Sequence, residues 1–576
     1  MYFFERAIGK RRYRVAAEAI WDPVRGQSYS RQVVLGPADP PGLVDLSATR
    51  KVGAQRVGDV GALAWVAEQL DVAGIVDRAC GLTTDAKSPS LGEMVVAVAV
   101  QRACAPAGKT SLAEFLDGSV ARLSCLPGEA FSGQAFHRLA ARVTEADLER
   151  VQVELARAAV ARFELDTEVL AFDTTNFDTH IATTTPGKLA RRGHAKSKRR
   201  DLRVVGLGVL VSETGHVPLL YRTYAGNGSD QGVLESCLDG LGKLHDALDE
   251  GEGRSRPAKR TLVRDGGSWG PQLELHLDMV GYFTLISLPL SHKASELALV
   301  AAAKRGAMKS LPGKLRDVRA ARVTGKVGKL DRTLVVVESK ELLKGQKRGI
   351  ALALAKAKVQ LSTLERRVEA GRVSRPQVER RVHEILGREH LASFVVAEIG
   401  GTEKAPTLSF RVDPALRRQL ESTRLGRRVL CTDRNAWSTG RIVHAFRGQW
   451  NVEELFRRAK KGGVVPWGPS HQWADASIRL HTFATVLGLT LVSLAKITLG
   501  TDLSARAMMR SLAAVEATLV RTTTGGMGRR PTVMLAPDLT AEQAKAVGVF
   551  ELERWLPSLL STSSTRRVQA EKQAAA

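Results

Sequence analysis

Strand-like apolar runs interleaved with helical stretches between residues 166 and 290 narrow the fold more than any other feature. TEVLAFDT, DLRVVGLGVLVS, VPLLYRTY, TLVRD and YFTLISLP read as strands, the second and third joined by a turn at Glu213-Thr214-Gly215. Helical periodicity fills 231–248 and Pro271 to Met279 between them. Strands alternating with helices build a layered α/β structure. A chain of 576 residues exceeds one compact core, so about three or four domains are expected.

The flanking text differs. Residues 1–59 hold short β-like runs broken by Pro and Gly, a small N-terminal unit. Residues 60–165 turn helical in LAWVAEQL, GEMVVAVAVQRA and ADLERVQVELARAAVARF. Residues 291–440 combine a charged helical stretch over 350–386 with strand-like RTLVVVES, LASFVVAEIG and RRVLCTD. Residues 441–500 hold the amphipathic VEELFRRAKKG and an apolar helix from Ala476 to about Leu499; residues 501–576 form a helical segment ending in a frayed tail.

Charge then selects a partner. Lys and Arg number 85 against 60 Asp and Glu, a net +25, which points to a polyanion. A membrane is disfavoured, because Phe483 to Ala495 runs 13 residues before Lys496, short of the roughly 20 a span needs. MYFFERAIGKRRYR reverses the charge order of a secretory signal, and the five cysteines form no C-x-x-C pair, so neither zinc nor disulfides are implied. A cytoplasmic protein that meets nucleic acid is the expectation.

Two aspartates end apolar runs: Asp173 in VLAFDTTNF and Asp265 in TLVRDGG. A carboxylate at the end of a buried strand is held rigidly, as a site for an oxygen-preferring cation requires. Asp178 is a second choice, placed past the strand end. Glu453 lies on an amphipathic helix, where Glu454 points about 100° away and only one of the two can face a site. On that helix Glu453, Arg457 and Lys460 are expected to share a face, with a Glu453–Arg457 ion pair as the plain alternative. The segment from Lys188 to Arg203 carries eight cations against the single acid Asp201. Lying between two strands, it is expected to meet phosphates. His194 and Trp269 are candidate site-edge residues.

These pieces together resemble a known family. HAFRGQWNVEELFRRAKKG is similar to the Y-x2-R-x3-E-x6-K signature of bacterial insertion-sequence transposases of the DDE type, its register giving Phe446, Gln449, Glu453 and Lys460. FDTTNF resembles the first-Asp motif, RRGHAKSKRRDLRVVGLGVLVSETGHVPLLYRTYAGNGSD the segment after it, and LVRDGGSWG the second-Asp motif. IRLHTFATVLGLTLV resembles the helix after the glutamate, and QRACAPAGKTSLAEFL the helical region upstream, so the likeness runs from about Leu91 to Leu499. Phe446 and Gln449 depart from the signature's Tyr and Arg, which bears on DNA-end binding more than on metal chemistry.

The resemblance implies an RNase H-like mixed-sheet core over 166–290 and 441–500. An α+β insertion domain at 291–440 would interrupt it, and a helical DNA-end-binding domain at 60–165 would precede it. It implies Asp173, Asp265 and Glu453 as catalytic and metal-binding residues, with two Mg²⁺ or Mn²⁺ ions. Arg191, Arg192, His194, Lys196, Lys198, Arg199, Arg200, Arg447, Arg457 and Lys460 would contact DNA. The implied activity is cleavage of inverted-repeat ends and joining of 3′-hydroxyls to target DNA, by a homodimer in a bacterial cytoplasm. A catalytically decayed DNA-binding relic and a simple metal-dependent nuclease are the rival expectations.

Overall fold

The computed structural model describes residues 1–9, 11–22, 27–38, 49–82, 85–182, 184–253, 258–304, 306–388, 390–522, 532–535 and 539–555. The frayed tail expected at the C-terminus lies outside them. The chain divides into two compact units: Met1–Arg260 with His276–Tyr282 and Gln449–Ala576, and Thr261–Leu275 with Phe283–Gly448. Both mix helices with strands.

The first unit opens with an antiparallel sheet of β1 (Tyr2–Ile8), β2 (Arg11–Asp22) and β3 (Gln27–Pro37), followed by β4 (Thr49–Arg56). Six helices come next: α1 (Gly58–Gln69), α2 (Val72–Cys80), α3 (Leu91–Cys104), α4 (Leu112–Asp117), α5 (Gly133–Ala140) and α6 (Glu145–Phe163). Capping boxes at Ser90/Glu93 and Thr144/Asp147 start α3 and α6, satisfying amides that a helix N-terminus leaves open. The strands β5 (Val169–Thr179), β6 (Arg203–Ser212) and β7 (Pro218–Ala225) pair antiparallel in that order, with Asp173 opposite Val209. Helices α7 (Asp230–Glu235) and α8 (Leu238–Gly251) follow.

The second unit takes up β8 (Arg260–Asp265), the start of α9 (Pro271–Met279), β9 (Tyr282–Leu288), α10 (Lys293–Ala302), β10 (Lys309–Ser310), β11 (Val318–Val327) and β12 (Leu330–Ser339). Then come α11 (Lys340–Glu369), α12 (Arg375–Leu386), β13 (Val395–Gly401), β14 (Pro406–Val412), α13 (Pro414–Thr423), β15 (Arg427–Thr432) and α14 (Thr439–Arg447). Its sheet runs β10–β11–β12–β15–β9–β8. Ala298 and Leu299 of α10 pack on Val336 and Val429 of that sheet, while α11, α12 and the β13–β14 hairpin enclose a separate core around Leu361, Val378 and Phe394.

The chain returns to the first unit with α15 (Trp450–Ala459), α16 (Asp475–Leu499), α17 (Ala505–Ala513), β16 (Glu516–Thr522), β17 (Thr532–Leu535) and α18 (Ala541–Val549); β16 lies between β17 and β4. Helix α16 corrects one expectation. At 25 residues it is long and apolar enough to cross a membrane, but 78% of its apolar window is buried inside the protein. Its neighbours include α1, α3 and α5. Burial, not shortness, accounts for its apolar sequence.

Candidate functional site

Asp173 does not end its strand. Pairing with β6 carries β5 on to Thr179, so Asp173 stands mid-strand and Asp178, opposite Val204, lies inside the strand as well. The apolar run stops at Asp173, but Thr, Asn and Phe sustain the ladder beyond it. Asp173 is half-buried and its Oδ1 accepts from the Thr174 amide at 2.7 Å. It shares a strand face with Phe177, whose ring stacks on Trp467 at 5.0 Å. Asp178 accepts from the Ser197 hydroxyl at 2.8 Å, so it works as a loop anchor.

Asp265 ends its strand, as expected from the sequence: Arg260 to Arg264 are buried and Asp265, the last residue of β8, is exposed; it falls in the second unit, however, and not in the unit of Asp173. Its Oδ1 accepts from the Gly266 amide at 2.8 Å, capping a single 3-10 turn. The strand end is held from behind by the buried Arg264, ion-paired to Glu274, with Arg332 3.7 Å from the same carboxylate. Trp269 meets His292 edge-on at 5.6 Å.

Helix α15 packs against β5 and β6 through a buried face that includes Val452, Leu455 and Phe456. Trp450, Glu453 and Arg457 lie on the exposed side. The alternative Glu453–Arg457 ion pair does not form; Glu454 takes Arg457 at 2.7 Å and the buried Arg458 at 3.5 Å. Lys460 corrects another expectation. The helix ends at Ala459 and Lys460 has extended backbone (φ −80°, ψ 168°), so it shares no helical face with Glu453. Arg457 lies over the Trp450 ring at 5.6 Å, and Trp450 abuts His216, whose pKa is pushed down to about 4 by burial and by Arg458 and Lys496. Phe446 and Arg447 belong to the second unit: Phe446 is buried on α14 under the Arg428 guanidinium, and Arg447 lies 3.6 Å from Asp317. Gln449 forms the N-terminal boundary of α15.

The basic segment is a built loop. Lys188 and Leu189 donate their amides to the Asp475 carboxylate at 2.7 and 3.1 Å, tying the loop to the first turn of α16. Arg191 and Val204 exchange backbone hydrogen bonds, and Arg203 donates to the Thr185 carbonyl at 2.7 Å. Asn176 of β5 accepts from the Lys196 amide at 2.9 Å and donates to the His194 carbonyl at 2.8 Å. The side chains of Arg191, Arg192, His194, Lys196, Lys198, Arg199 and Arg200 are all exposed. Two are engaged within the protein: Arg199 by Asp201 and Lys196 by the Thr174 carbonyl. Asn176 and Asp475 were not singled out from sequence, since each acts through a contact with the loop that no local spacing reveals.

Three carboxylates offer the hard oxygen ligands that magnesium prefers, so the donor chemistry suits such a cation. Among the described residues, however, no three His, Cys, Asp or Glu side chains are gathered so as to hold a metal ion. Asp173 and Glu453 sit on packed elements of one unit and Asp265 in the other. What the described residues define is a mixed α/β protein with a preformed, strongly basic loop beside a strand that carries acidic residues.

No protein-family model matches the chain, and no curated protein matches it. Among solved structures, a piggyBac transposase in a synaptic complex with hairpin DNA, determined by cryo-EM, aligns over 79% of this chain and 78% of that chain. The identity is 10% and the TM-score 0.36, and a likeness at that level bears on neither fold nor activity.

Proposed function

We propose that this chain is a DDE-type transposase that cleaves the inverted-repeat ends of its element and joins them to target DNA. The observation that carries the reading is the ordered set of motifs around Asp173, Asp265 and Glu453, supported by the exposed basic loop anchored to the strand of Asp173. On this reading β5–β6–β7 and α15 belong to an RNase H-like core, and two copies of the chain act together on two DNA ends in the cytoplasm. The loop residues Arg191, Arg192, His194, Lys198 and Arg200 contact backbone phosphates, with Lys196 and Arg199 after release from their internal partners. Arg447, Arg457 and Lys460 supply further cations. Asp173, Asp265 and Glu453 would hold two Mg²⁺ or Mn²⁺ ions, which would supply Lewis acidity toward the scissile phosphate. The chain's own contribution is to fix the duplex by its phosphates and to orient the end toward the carboxylates.

A second reading, a DNA-binding relic without catalysis, draws on Phe446 and Gln449 in the signature. Cleavage of DNA bearing the flanking inverted repeats, with Mg²⁺ or Mn²⁺, separates the two. The transposase reading expects cutting that Asp173→Ala, Asp265→Ala and Glu453→Ala each abolish while binding persists. Binding without cutting by the unaltered protein would establish the relic.

A further inference from the structure

Away from the carboxylates, the first unit gathers basic side chains around two buried ones, Arg102 and His481, and among the described residues no acid acts on them. Arg102, near the end of α3, is 4% exposed and donates to the carbonyls of Ala107 at 3.3 Å and Gly468 at 3.2 Å. Its Nε is buried with no hydrogen-bond partner. Lys109, part-buried at the start of a 3-10 turn (Lys109–Ser111) between α3 and α4, has its Nζ 3.2 Å from Nδ1 of His481 on α16 and 4.3 Å from the Phe136 ring centroid on α5. His481 is 2% exposed. Its Nε2 lies 2.8 Å from the Trp467 carbonyl oxygen, which can only accept, so Nε2 carries the proton and Nδ1 presents a lone pair to Lys109. His137 of α5 lies at the exposed edge of the group, with Nδ1 2.8 Å from the Ser477 hydroxyl of α16.

The groups that act electrostatically on this cluster are cations only. Lys109 responds to Arg102, His481 to Lys109 and Arg102, and His137 to Lys109. Burial and Arg102 bring the Lys109 amine down to about 7, and burial and the two cations hold His481 well below its ordinary range. Packing an ammonium beside another cation, with no carboxylate to offset its lost hydration, is costly and favours the neutral amine. The cluster also closes a seam. Through Gly468 and Trp467 it pins the segment 465–471, which is further fixed to Thr482 of α16 by the Trp467 indole at 3.0 Å and, just past the end of β5, by the His180 amide on the Ser470 carbonyl at 2.9 Å.

We propose that Lys109, His481 and Arg102 form a proton-gated latch, closed while the Lys109 amine is neutral and loosened when protonation sets a second cation beside Arg102. The sign follows from linkage. An opened segment lets Lys109 return toward its ordinary basicity, so the open form binds more protons above the closed-state value, and closure strengthens as pH rises from there. Opening is expected to become up to roughly tenfold more frequent per unit of falling pH between about pH 8.5 and about pH 7. Below that range the effect levels off.

Hydrogen exchange of the full-length protein, corrected for intrinsic amide chemistry, reads this in peptides covering 105–111 and 465–471. The unaltered chain should lose protection in both segments as pH falls across that window, while segments in the second unit do not follow. Lys109→Met removes the titrating group and should flatten the dependence. Lys109→Gln, which keeps a donor for His481 Nδ1, should do the same and serves if the methionine variant folds poorly. A pH dependence that survives in the folded variant, or is absent from the unaltered protein, would overturn the latch.

Discussion

Glu453 and Glu454 are neighbours in sequence with opposite employment. Glu454 neutralises Arg457 and the buried Arg458, whereas Glu453 stands on the outer face of α15. Replacing Glu454 by Gln withdraws charge from an arginine that is 5% exposed, so a stability cost of about 1–2 kcal/mol is expected, visible as a lower melting temperature. Replacing Glu453 by Gln should leave melting unchanged and lower metal-dependent cleavage roughly a hundredfold or more. The reverse pattern would transfer the proposed role to Glu454. Residue identity was legible where local rules operate alone, as at Asp265, where apolar run and strand end together. It was not legible at Asp173, because pairing with β6 carries the strand past the apolar run, nor at Lys460. There the chain folds back on α15, with Val465 donating to the Arg458 carbonyl at 3.0 Å and Trp467 to that of Ala459 at 2.8 Å. Gly463 permits this approach, since a Cβ there would lie 2.0 Å from the Arg458 oxygen.

The basic loop's composition was plain in the sequence, but its anchoring was not, because the partners on β5 and α16 are remote in the chain. Anchoring matters physically: cations on a preorganised loop pay less ordering entropy on meeting phosphates than the same cations on a floppy one. Arg192→Ala and Arg200→Ala, which remove exposed cations, should weaken DNA binding and each reduce the slope of log affinity against log salt by about 0.9. Asp475→Asn leaves every loop cation in place but weakens the acceptor for Lys188 and Leu189. It should therefore lower affinity at one salt concentration with the slope nearly unchanged. Equal slopes for all three variants and the unaltered chain would mean that the loop does not contact phosphate.

At the scale of the molecule, a net charge of +25 makes protonation matter, and the buried acids act against the buried bases. Desolvation raises the carboxyls of Glu18, Asp59 and Asp433, and that of Asp77 to about 6. A group whose folded-state pKa lies above its unfolded value gives stability that is complete below the unfolded value and lost as pH rises through the folded one. Asp77 accepts from the Gly92 amide at 2.7 Å at the start of α3, a bond an asparagine oxygen can also accept. Asp77→Asn keeps that acceptor and removes the titration. Relative to this variant, the unaltered protein should be favoured at about pH 4 over about pH 7 by something of order 2–3 kcal/mol, since Asp77 must ionise within the fold across that range. Lys109 runs the other way at higher pH, so the two substitutions should flatten different limbs of the stability curve. Urea denaturation midpoints across pH check this. Identical curves for Asp77→Asn and the unaltered chain would show that water reaches the Asp77 carboxylate, and that α3 begins at a surface rather than in the interior.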